Sequence, residues 1–284
     1  MIKIANLEKN KEGNIVVKIM DKELEEIDLN KLYDSLNIVS EYNRIKNIYT
    51  MTIENGEQLY NCLKNVKEDT DTKLDTNKSE KQVMEANRTI FNYCSAIGMY
   101  IDIIEKSLSK IDKEKLKEFR KTCNELYDTE LEYRFFVILR NFVVHYDLPF
   151  TAYEKTLYGS NIICEKQHLL KFKSWKHVRA DIEQMPSKIE IRPMINKMNV
   201  SLTVLLFDYL YHISKKVIEA YEEASKFVIK YDLKNPCLVK YKSIEEYKKG
   251  NVNLCPIDFE GLQKVFDEVR KHPHINIKIN NISL

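Results

Sequence analysis

The chain has 284 residues, 44% of them apolar, so it is long enough for a large domain and can bury a substantial core. It contains six glycines and six prolines, too few for a turn-rich all-β protein, and long helices are therefore expected. The formal net charge of +2 excludes a protein that coats nucleic acid with a strongly basic surface, but it is compatible with a local basic patch.

The cysteines and the apolar runs exclude further classes of protein. Six cysteines are scattered without the CxxC or Cys/His spacing of a zinc site, so we expect free thiols in a reducing compartment. The N-terminus lacks the apolar core of a signal peptide, and the most apolar run, residues 202–213, is shorter than the ~20 residues of a membrane span. We therefore expect a cytoplasmic protein with no membrane partner, no metal and no cofactor.

The predicted elements begin with an α+β accessory region, residues 1–78. Apolar residues alternate over 14–19 after a Glu-Gly-Asn turn, which predicts a β-hairpin, and mixed helix and strand are expected as far as residue 67. Residues 68–76 are polar and nearly free of large apolar groups, so they are predicted to be a linker or a mobile loop.

A helical domain is expected over residues 79–232. Apolar residues recur at three- and four-residue steps from Val83 to Leu108, after Asn77 and Glu80 at capping-box spacing. The next helical stretch begins at Asp112 and continues, with a break near 128–129, to His145, where Leu148-Pro149 ends it. Residues 150–190 are predicted to be irregular with a strand at 161–164, and a long helix is expected over 193–231.

A short C-terminal extension follows, residues 233–284. It is expected to contain one helix, 259–271, and a short strand, 275–279. The fold class that this order of elements favours is mainly α, with a small α+β N-terminal region.

Chemistry-bearing side chains concentrate in Leu139-Arg140-Asn141-Phe142-Val143-Val144-His145. A neutral histidine can take the proton from a ribose 2′-hydroxyl, whose oxygen then attacks the adjacent phosphate. An arginine offers a fixed fork of donors for the charge that builds on phosphorus. Asn141, one helical turn before His145, can orient the imidazole or bind a phosphate.

Helix geometry divides this segment into faces. At about 100° per residue, Phe135, Leu139, Phe142 and Tyr146 share the expected core face. Val137 and Val144 fall on the opposite side, which suggests a surface for a second chain. Arg140 and His145 differ by about 140°, so they diverge on one ideal helix unless two chains complete the site.

A purely structural interpretation of the same residues stays open. Arg140 can extend its charged end into solvent from the end of the helix, and His145 can interact favourably with the C-terminal dipole. Sequence physics alone does not decide between this interpretation and a catalytic one.

The segment, closed by Leu148-Pro149, resembles the Arg-x(4–6)-His signature of the HEPN superfamily, in which the residue after the arginine is often Asn, as Asn141 is here. The resemblance implies a dimerising bundle of four or five helices with a composite, metal-independent ribonuclease site at the dimer cleft. It implies catalytic roles for Arg140 and His145 and a supporting role for Asn141. Members include toxins of toxin–antitoxin pairs, abortive-infection proteins and nuclease domains of CRISPR-associated ribonucleases.

One departure from the family matters. Some HEPN toxins have a modified tyrosine two residues after the histidine, where this chain has Asp147, so that regulation is not expected. The hypothesis from the resemblance is a homodimeric endoribonuclease with a toxin or anti-phage role and an antitoxin or other defence-system protein as partner. A non-catalytic HEPN-type module that binds a nucleotide or a partner is the alternative, and a plain helical scaffold is a third.

A second segment combines basic and aromatic residues without an acid between positions 166 and 179. Such interleaving can hold an RNA backbone and stack a base. The alternative is a solvated face with a buried tryptophan. The predicted RNA-binding residues are Lys166, Lys171, Lys173, Trp175, Lys176 and Arg179.

Overall fold

A computed structural model describes residues 1–69, 75–156 and 159–276. In chain order the elements are β1 (Ile2–Lys9), β2 (Ile15–Ile19), α1 (Glu26–Lys67), α2 (Thr76–Ile111), α3 (Lys113–Thr129), α4 (Leu131–His145), β3 (Phe150–Thr156), β4 (Gly159–Glu165), α5 (Lys166–Leu170), α6 (Val178–Gln184), β5 (Lys188–Ile189), α7 (Arg192–Lys230), β6 (Pro236–Lys240), α8 (Ile244–Lys248), β7 (Asn253–Pro256) and α9 (Phe259–Arg270). The protein is mainly helical, as the sequence predicted, and it also contains two small antiparallel sheets within the described residues.

The chain forms two compact units. Arg44–Tyr209 make up one, which we call the helical unit, and Met1–Asn43 with the described part of Leu210–Leu284 make up the other, the sheet unit. The unit boundaries fall inside α1 and α7, so they differ from the predicted segments 1–78, 79–232 and 233–284. The predicted segments stay predictions about which part of the chain does what.

The sheet unit is built on a four-stranded antiparallel sheet in the order β2-β1-β6-β7. The predicted N-terminal hairpin is confirmed, with Ala5 opposite Ile19. Its turn is tied by the Asn10 side chain, whose Oδ1 accepts hydrogen bonds from the backbone N–H groups of Glu12 and Asn14. Gly13 supplies the positive φ of 84° that the reversal needs.

Helix α1 corrects the expectation of mixed helix and strand before residue 67. It is continuous over 42 residues. Its buried positions do recur at helical spacing, but Ser35, Thr52 and Gly56 occupy three of them. Because small and polar residues interrupt the stripe, it was not visible as an apolar pattern.

Helix α2 is the centre of the helical unit, with thirteen buried residues between Ala86 and Leu108. It contacts α3 and α4. Its Tyr93 and Tyr100 hydroxyls donate hydrogen bonds to Asn199 and to the Leu202 carbonyl of α7. The predicted helix is confirmed, although the capping residue is Asp75, which accepts from the Lys78 N–H, rather than Asn77.

The predicted helical stretch from Asp112 to His145 is also confirmed, together with its break. Asp112 caps α3, and Glu130 separates α3 from α4. Helix α4 ends at His145, because Tyr146 adopts φ −128° and ψ −70°. This ending places His145 in the last turn, where backbone carbonyls lack helical partners.

Residues 150–190 are more regular than predicted. Strands β3, β4 and β5 form a three-stranded antiparallel sheet, and the short helices α5 and α6 lie between β4 and β5. The predicted strand at 161–164 is confirmed within β4. Strand β3 was missed because its sequence, Phe-Thr-Ala-Tyr-Glu-Lys-Thr, has no clean apolar alternation.

The last predicted elements agree with α7 and α9. Part of the predicted strand at 275–279 lies outside the described residues, and 275 and 276 are not in a strand. Most of the predicted linker at 68–76 is likewise outside them. Among the described helices, none combines the length and the apolarity that crossing a bilayer requires.

Candidate functional site

Helix α4 presents the predicted motif because its core face is strongly apolar. Phe135, Leu139 and Phe142 are fully buried. Tyr146 was expected on the same face but is 49% exposed, since the chain leaves the helix at that residue. The core face fixes the rotation of α4 and directs Arg140 and His145 away from the core.

Arg140 lies across the backbone of α2 at Gly98. A Cβ added to Gly98 would be 2.6 Å from Arg140 Cδ and closer still to Nε and Cζ. One turn further along α2, Asp102 Oδ2 is 3.6 Å from Arg140 Nη2. One turn earlier, burial raises the pKa of the Cys94 thiol and the Arg140 charge opposes the rise. Arg140 therefore lies along one face of α2.

His145 is exposed at the end of α4. Within the described residues it makes no side-chain hydrogen bond or ion pair. Asn141 is half-buried, and the described hydrogen bonds do not include one between Asn141 and His145. The ring of His145 is therefore accessible to a ligand, and the predicted supporting role of Asn141 stays a prediction.

A second arginine, Arg134, lies two helical turns before Asn141 on the same face of α4. Its Nε donates to Asp181 Oδ2 of α6 at 2.7 Å and its Nη2 donates to Oδ1 at 3.1 Å. The Asp181 carboxylate raises the pKa of Arg134. Helix α6 thus covers the first half of this face, whereas the end at His145 is open.

Trp175 is not the RNA contact that was predicted, and the alternative with a buried tryptophan is confirmed. The side chain is fully buried, and its Nε1 donates to the Leu169 carbonyl at 2.6 Å. It stacks on Phe135 and Phe142, with ring centroids 6.0 and 5.7 Å apart. Because both ring faces are enclosed by the core, Trp175 has no surface for an RNA base.

The five predicted cations divide into two groups. Lys166 donates to the Met185 carbonyl at 2.7 Å, and Arg179 pairs with Glu183 at 3.0 Å, so these two serve local structure. The others are exposed and have no ion pair within the described residues: Lys171, Lys173 and Lys176. We call these three the lysine cluster.

The lysine cluster lies beside the end of α4. Phe172, between two of its lysines, contacts Tyr146 with ring centroids 5.5 Å apart, and Tyr146 directly follows His145. Phe172 also meets Phe142 edge to face. The two segments that the sequence indicated separately are therefore neighbours in the structure.

His168 lies in the basic segment 166–179 but was not among the predicted RNA-binding residues. Its Nε2 is 3.0 Å from the Leu148 carbonyl and 3.6 Å from Asp147 Oδ2, both in the turn after His145. The ring meets Phe142 edge to face. Its place inside the basic segment was the available signal, but only the tertiary contact shows that it braces this turn.

The predicted dimer surface has one clearly exposed member. Val144 is 43% exposed and Val137 is half-buried. On α2, Met99 directly follows Gly98 and is exposed as well. Apolar side chains are thus available on α4 and beside Arg140 on α2.

Other features of the helical unit lie apart from the motif. A groove of about 870 Å³ lies between α1 and α2 and is lined largely by amide and charged side chains, including Asn61 and Gln82. Within the described residues, no three His, Cys, Asp or Glu side chains are arranged to hold a metal ion. The motif itself lies on an open surface.

Comparison with known proteins found no matching family model, no similar curated protein and no similar solved structure.

Proposed function

We propose that this protein is an endoribonuclease whose site is built from Arg140 and His145 of two copies of the chain and works without a metal. The observation that carries the proposal is the exposed His145, which has no side-chain partner in the described part of the chain and lies beside the lysine cluster. A general base next to exposed cations fits a substrate with a phosphate backbone and a hydroxyl to deprotonate.

The proposed reaction is attack by the 2′-hydroxyl on its own phosphate. The 2′-oxygen forms a bond to phosphorus while the bond from phosphorus to the 5′-oxygen breaks. The 2′-hydroxyl proton moves to a ring nitrogen of His145, and the leaving 5′-oxygen takes a proton from water. The guanidinium of Arg140 donates hydrogen bonds to the phosphate oxygens as charge builds on them.

Two copies are proposed because the two side chains diverge. Arg140 lies against α2, whereas His145 projects from the end of α4. A symmetric pair of chains can bring Arg140 of one copy to His145 of the other. The exposed Val144 supports a contact on this side of α4.

The helical unit is compatible with the HEPN-like bundle of four to five helices that the resemblance implies. Helices α2, α3 and α4 contact one another, and α2 is bonded to α7. Thr52 of α1 donates to the Ala96 carbonyl of α2. In the cell, we propose that this ribonuclease acts as a toxin or in anti-phage defence, with an antitoxin or another defence-system protein as its partner.

The test is cleavage of total RNA and tRNA in EDTA by the wild type and single alanine variants. We expect His145→Ala and Arg140→Ala to lose activity by roughly 100-fold or more. His177→Ala is the matched control, because His177 is also exposed in this region and has no proposed role. Equal cleavage by the wild type and His145→Ala would reject the proposal, and RNA binding without cleavage would favour the non-catalytic module.

A further inference from the structure

Glycine at position 98 is unexpected in a helix such as α2. The helix runs for 36 residues, and residue 98 lies in its buried central part. Glycine weakens a helix interior because it loses the most backbone freedom on folding. A glycine at such a place needs a compensating contact, and here that contact is the Arg140 side chain.

The contact depends on the missing side chain. Any Cβ at position 98 would overlap the Cδ, Nε and Cζ atoms of Arg140. These atoms form the flexible end of a side chain, so an alanine at 98 can be accommodated if the guanidinium moves away. The backbone of α2 would not need to shift. The geometry thus couples the residue at 98 to the position of the guanidinium.

Asp102 contacts the same guanidinium from the open side. The 3.6 Å separation exceeds hydrogen-bonding distance, and the carboxylate is 67% exposed. An exposed pair of this kind contributes little to stability. A phosphate can accept two parallel hydrogen bonds from an arginine and would displace such a carboxylate.

We infer that Gly98 is a positioning residue, a seat on α2 that fixes the Arg140 guanidinium for an RNA phosphate, with Asp102 occupying the phosphate position until RNA binds. This inference rests on the proposed function. It assigns to α2 a part of the site that the motif on α4 does not contain.

The first test is Gly98→Ala. The variant folds, with a melting temperature equal to or above that of the wild type, because alanine favours the helix and the arginine can move. Its kcat falls about as far as that of Arg140→Ala, roughly 100-fold, while KM changes less. The double variant is no less active than Arg140→Ala alone. Gly98→Ala that keeps kcat within about threefold of the wild type would overturn the inference.

Gly56→Ala is the matched control. Gly56 also lies in a helix of this unit and also has a close neighbour, Tyr93 Cε2, 2.8 Å from an added Cβ. Its substitution is expected to lower the melting temperature and to leave the activity per folded molecule unchanged. A kcat loss in Gly56→Ala equal to that of Gly98→Ala would show a general effect of helix repacking and would overturn the inference.

Guanidinium rescue tests the seat directly. In Arg140→Ala, millimolar guanidinium chloride is expected to restore part of the cleavage, because the ion can bind on Gly98. In Arg140→Ala/Gly98→Ala the seat is filled, and rescue should be absent. Equal rescue of both variants would contradict the inference. Asp102→Asn should lower KM and keep kcat, and a kcat loss as large as that of Arg140→Ala would show that Asp102, not Gly98, positions the guanidinium.

A readout without RNA separates this inference from the proposed function. Arg140→Ala should change the melting temperature more in the wild-type background than in Gly98→Ala, where the contact is already lost. If the wild-type protein never cleaves RNA but shows this coupling, the proposed ribonuclease activity is rejected and the positioning of Arg140 by Gly98 is retained. Additive changes in melting temperature would reject the positioning of Arg140 by Gly98.

Discussion

Arg134 and Arg140 are less than two helical turns apart on α4, yet their surroundings differ. Arg134 makes two hydrogen bonds to Asp181, and both side chains are largely buried, with 18% and 26% exposed. Arg140 is 42% exposed, and the acidic group nearest to it among the described ion pairs is Asp102, at 3.6 Å. The first arginine is held for structure, and the second is available to a ligand.

Because the Arg134 pair is structural, we predict that breaking it lowers the stability of the fold and leaves RNA cleavage intact. Asp181→Ala leaves the Arg134 charge without its partner and should destabilise the protein by about 1–3 kcal/mol in urea unfolding, without loss of RNA cleavage by the folded fraction. Glu183→Ala, which breaks the exposed pair with Arg179, should change stability by less than about 1 kcal/mol. A loss of cleavage in Asp181→Ala at full folding would contradict this assignment.

A carboxylate in the sheet unit gives a prediction about pH. Hydrogen bonds from Lys230 and Tyr231 lower the pKa of Asp28 below its ordinary value of 3.8. A group with a lowered folded-state pKa adds stability that is present above its unfolded pKa and is lost as the pH falls through the folded value. The stability of the wild type should therefore exceed that of Asp28→Asn at neutral pH.

The difference in unfolding free energy between the wild type and Asp28→Asn should shrink once the pH falls below 3.8. Urea unfolding at several pH values measures it. A difference that is constant from neutral pH into the acid range would show that the Asp28 carboxylate does not contribute in this way.

At the scale of elements, the lysine cluster follows α5 and packs through Phe172 against the end of α4. Its charges are unpaired within the described residues, so they should contribute to RNA binding through release of counterions. The contribution is independent of sequence and depends on salt.

The prediction is a change in the salt dependence of RNA affinity. A plot of the logarithm of the RNA-binding constant against the logarithm of the salt concentration has a negative slope. Replacing Lys171, Lys173 and Lys176 with glutamine should make this slope less steep by about 2, since each phosphate contact on a single strand contributes about 0.7. Replacing the exposed Lys113, Lys117 and Lys121 of α3 is the control and should leave the slope unchanged. An unchanged slope in the first variant would remove the lysine cluster from the RNA surface.

Elements with a local apolar repeat could be predicted from the sequence. Helices α2, α4 and α7 show the repeat in their own residues. Strand β3 could not be predicted, because its residues show no clean apolar alternation and it forms by pairing with β4. Helix α1 could not be recognised either, because Ser35 and Thr52 stand where the repeat needs apolar groups.

The candidate site was predictable to the same extent. The motif from Arg140 to His145 lies within one helix, so its residues could be named from the sequence. Gly98 and Asp102 are about 40 residues away in the chain, and no spacing rule connects them to Arg140. Trp175 was misassigned because basic neighbours suggested the surface, whereas its ring completes the core between Phe135 and Phe142.

At the scale of the whole molecule, the proposal needs two chains. Arg140→Ala and His145→Ala should each be inactive alone. When the two are co-expressed, half of the dimers are mixed, and each mixed dimer has one intact composite site. The expected recovery is roughly a quarter of wild-type activity.

The control for this experiment adds Val144→Asp to both chains. A charge at this exposed position should prevent pairing and abolish the recovery. Sedimentation measures the oligomeric state of each protein in parallel. Dimers that form but recover no activity would show that one chain does not supply Arg140 to the His145 of the other.

The most direct test of the central claim is the chemistry of the RNA ends. A single defined RNA, and the same RNA with a 2′-deoxy sugar at the cleavage position, are incubated in EDTA with the wild type and with His145→Ala. We expect the wild type to cut the first RNA into products with 2′,3′-cyclic phosphate and 5′-hydroxyl ends and to leave the second intact, and we expect His145→Ala to cut neither. Cleavage of the 2′-deoxy RNA, or equal cleavage by His145→Ala, would contradict the account.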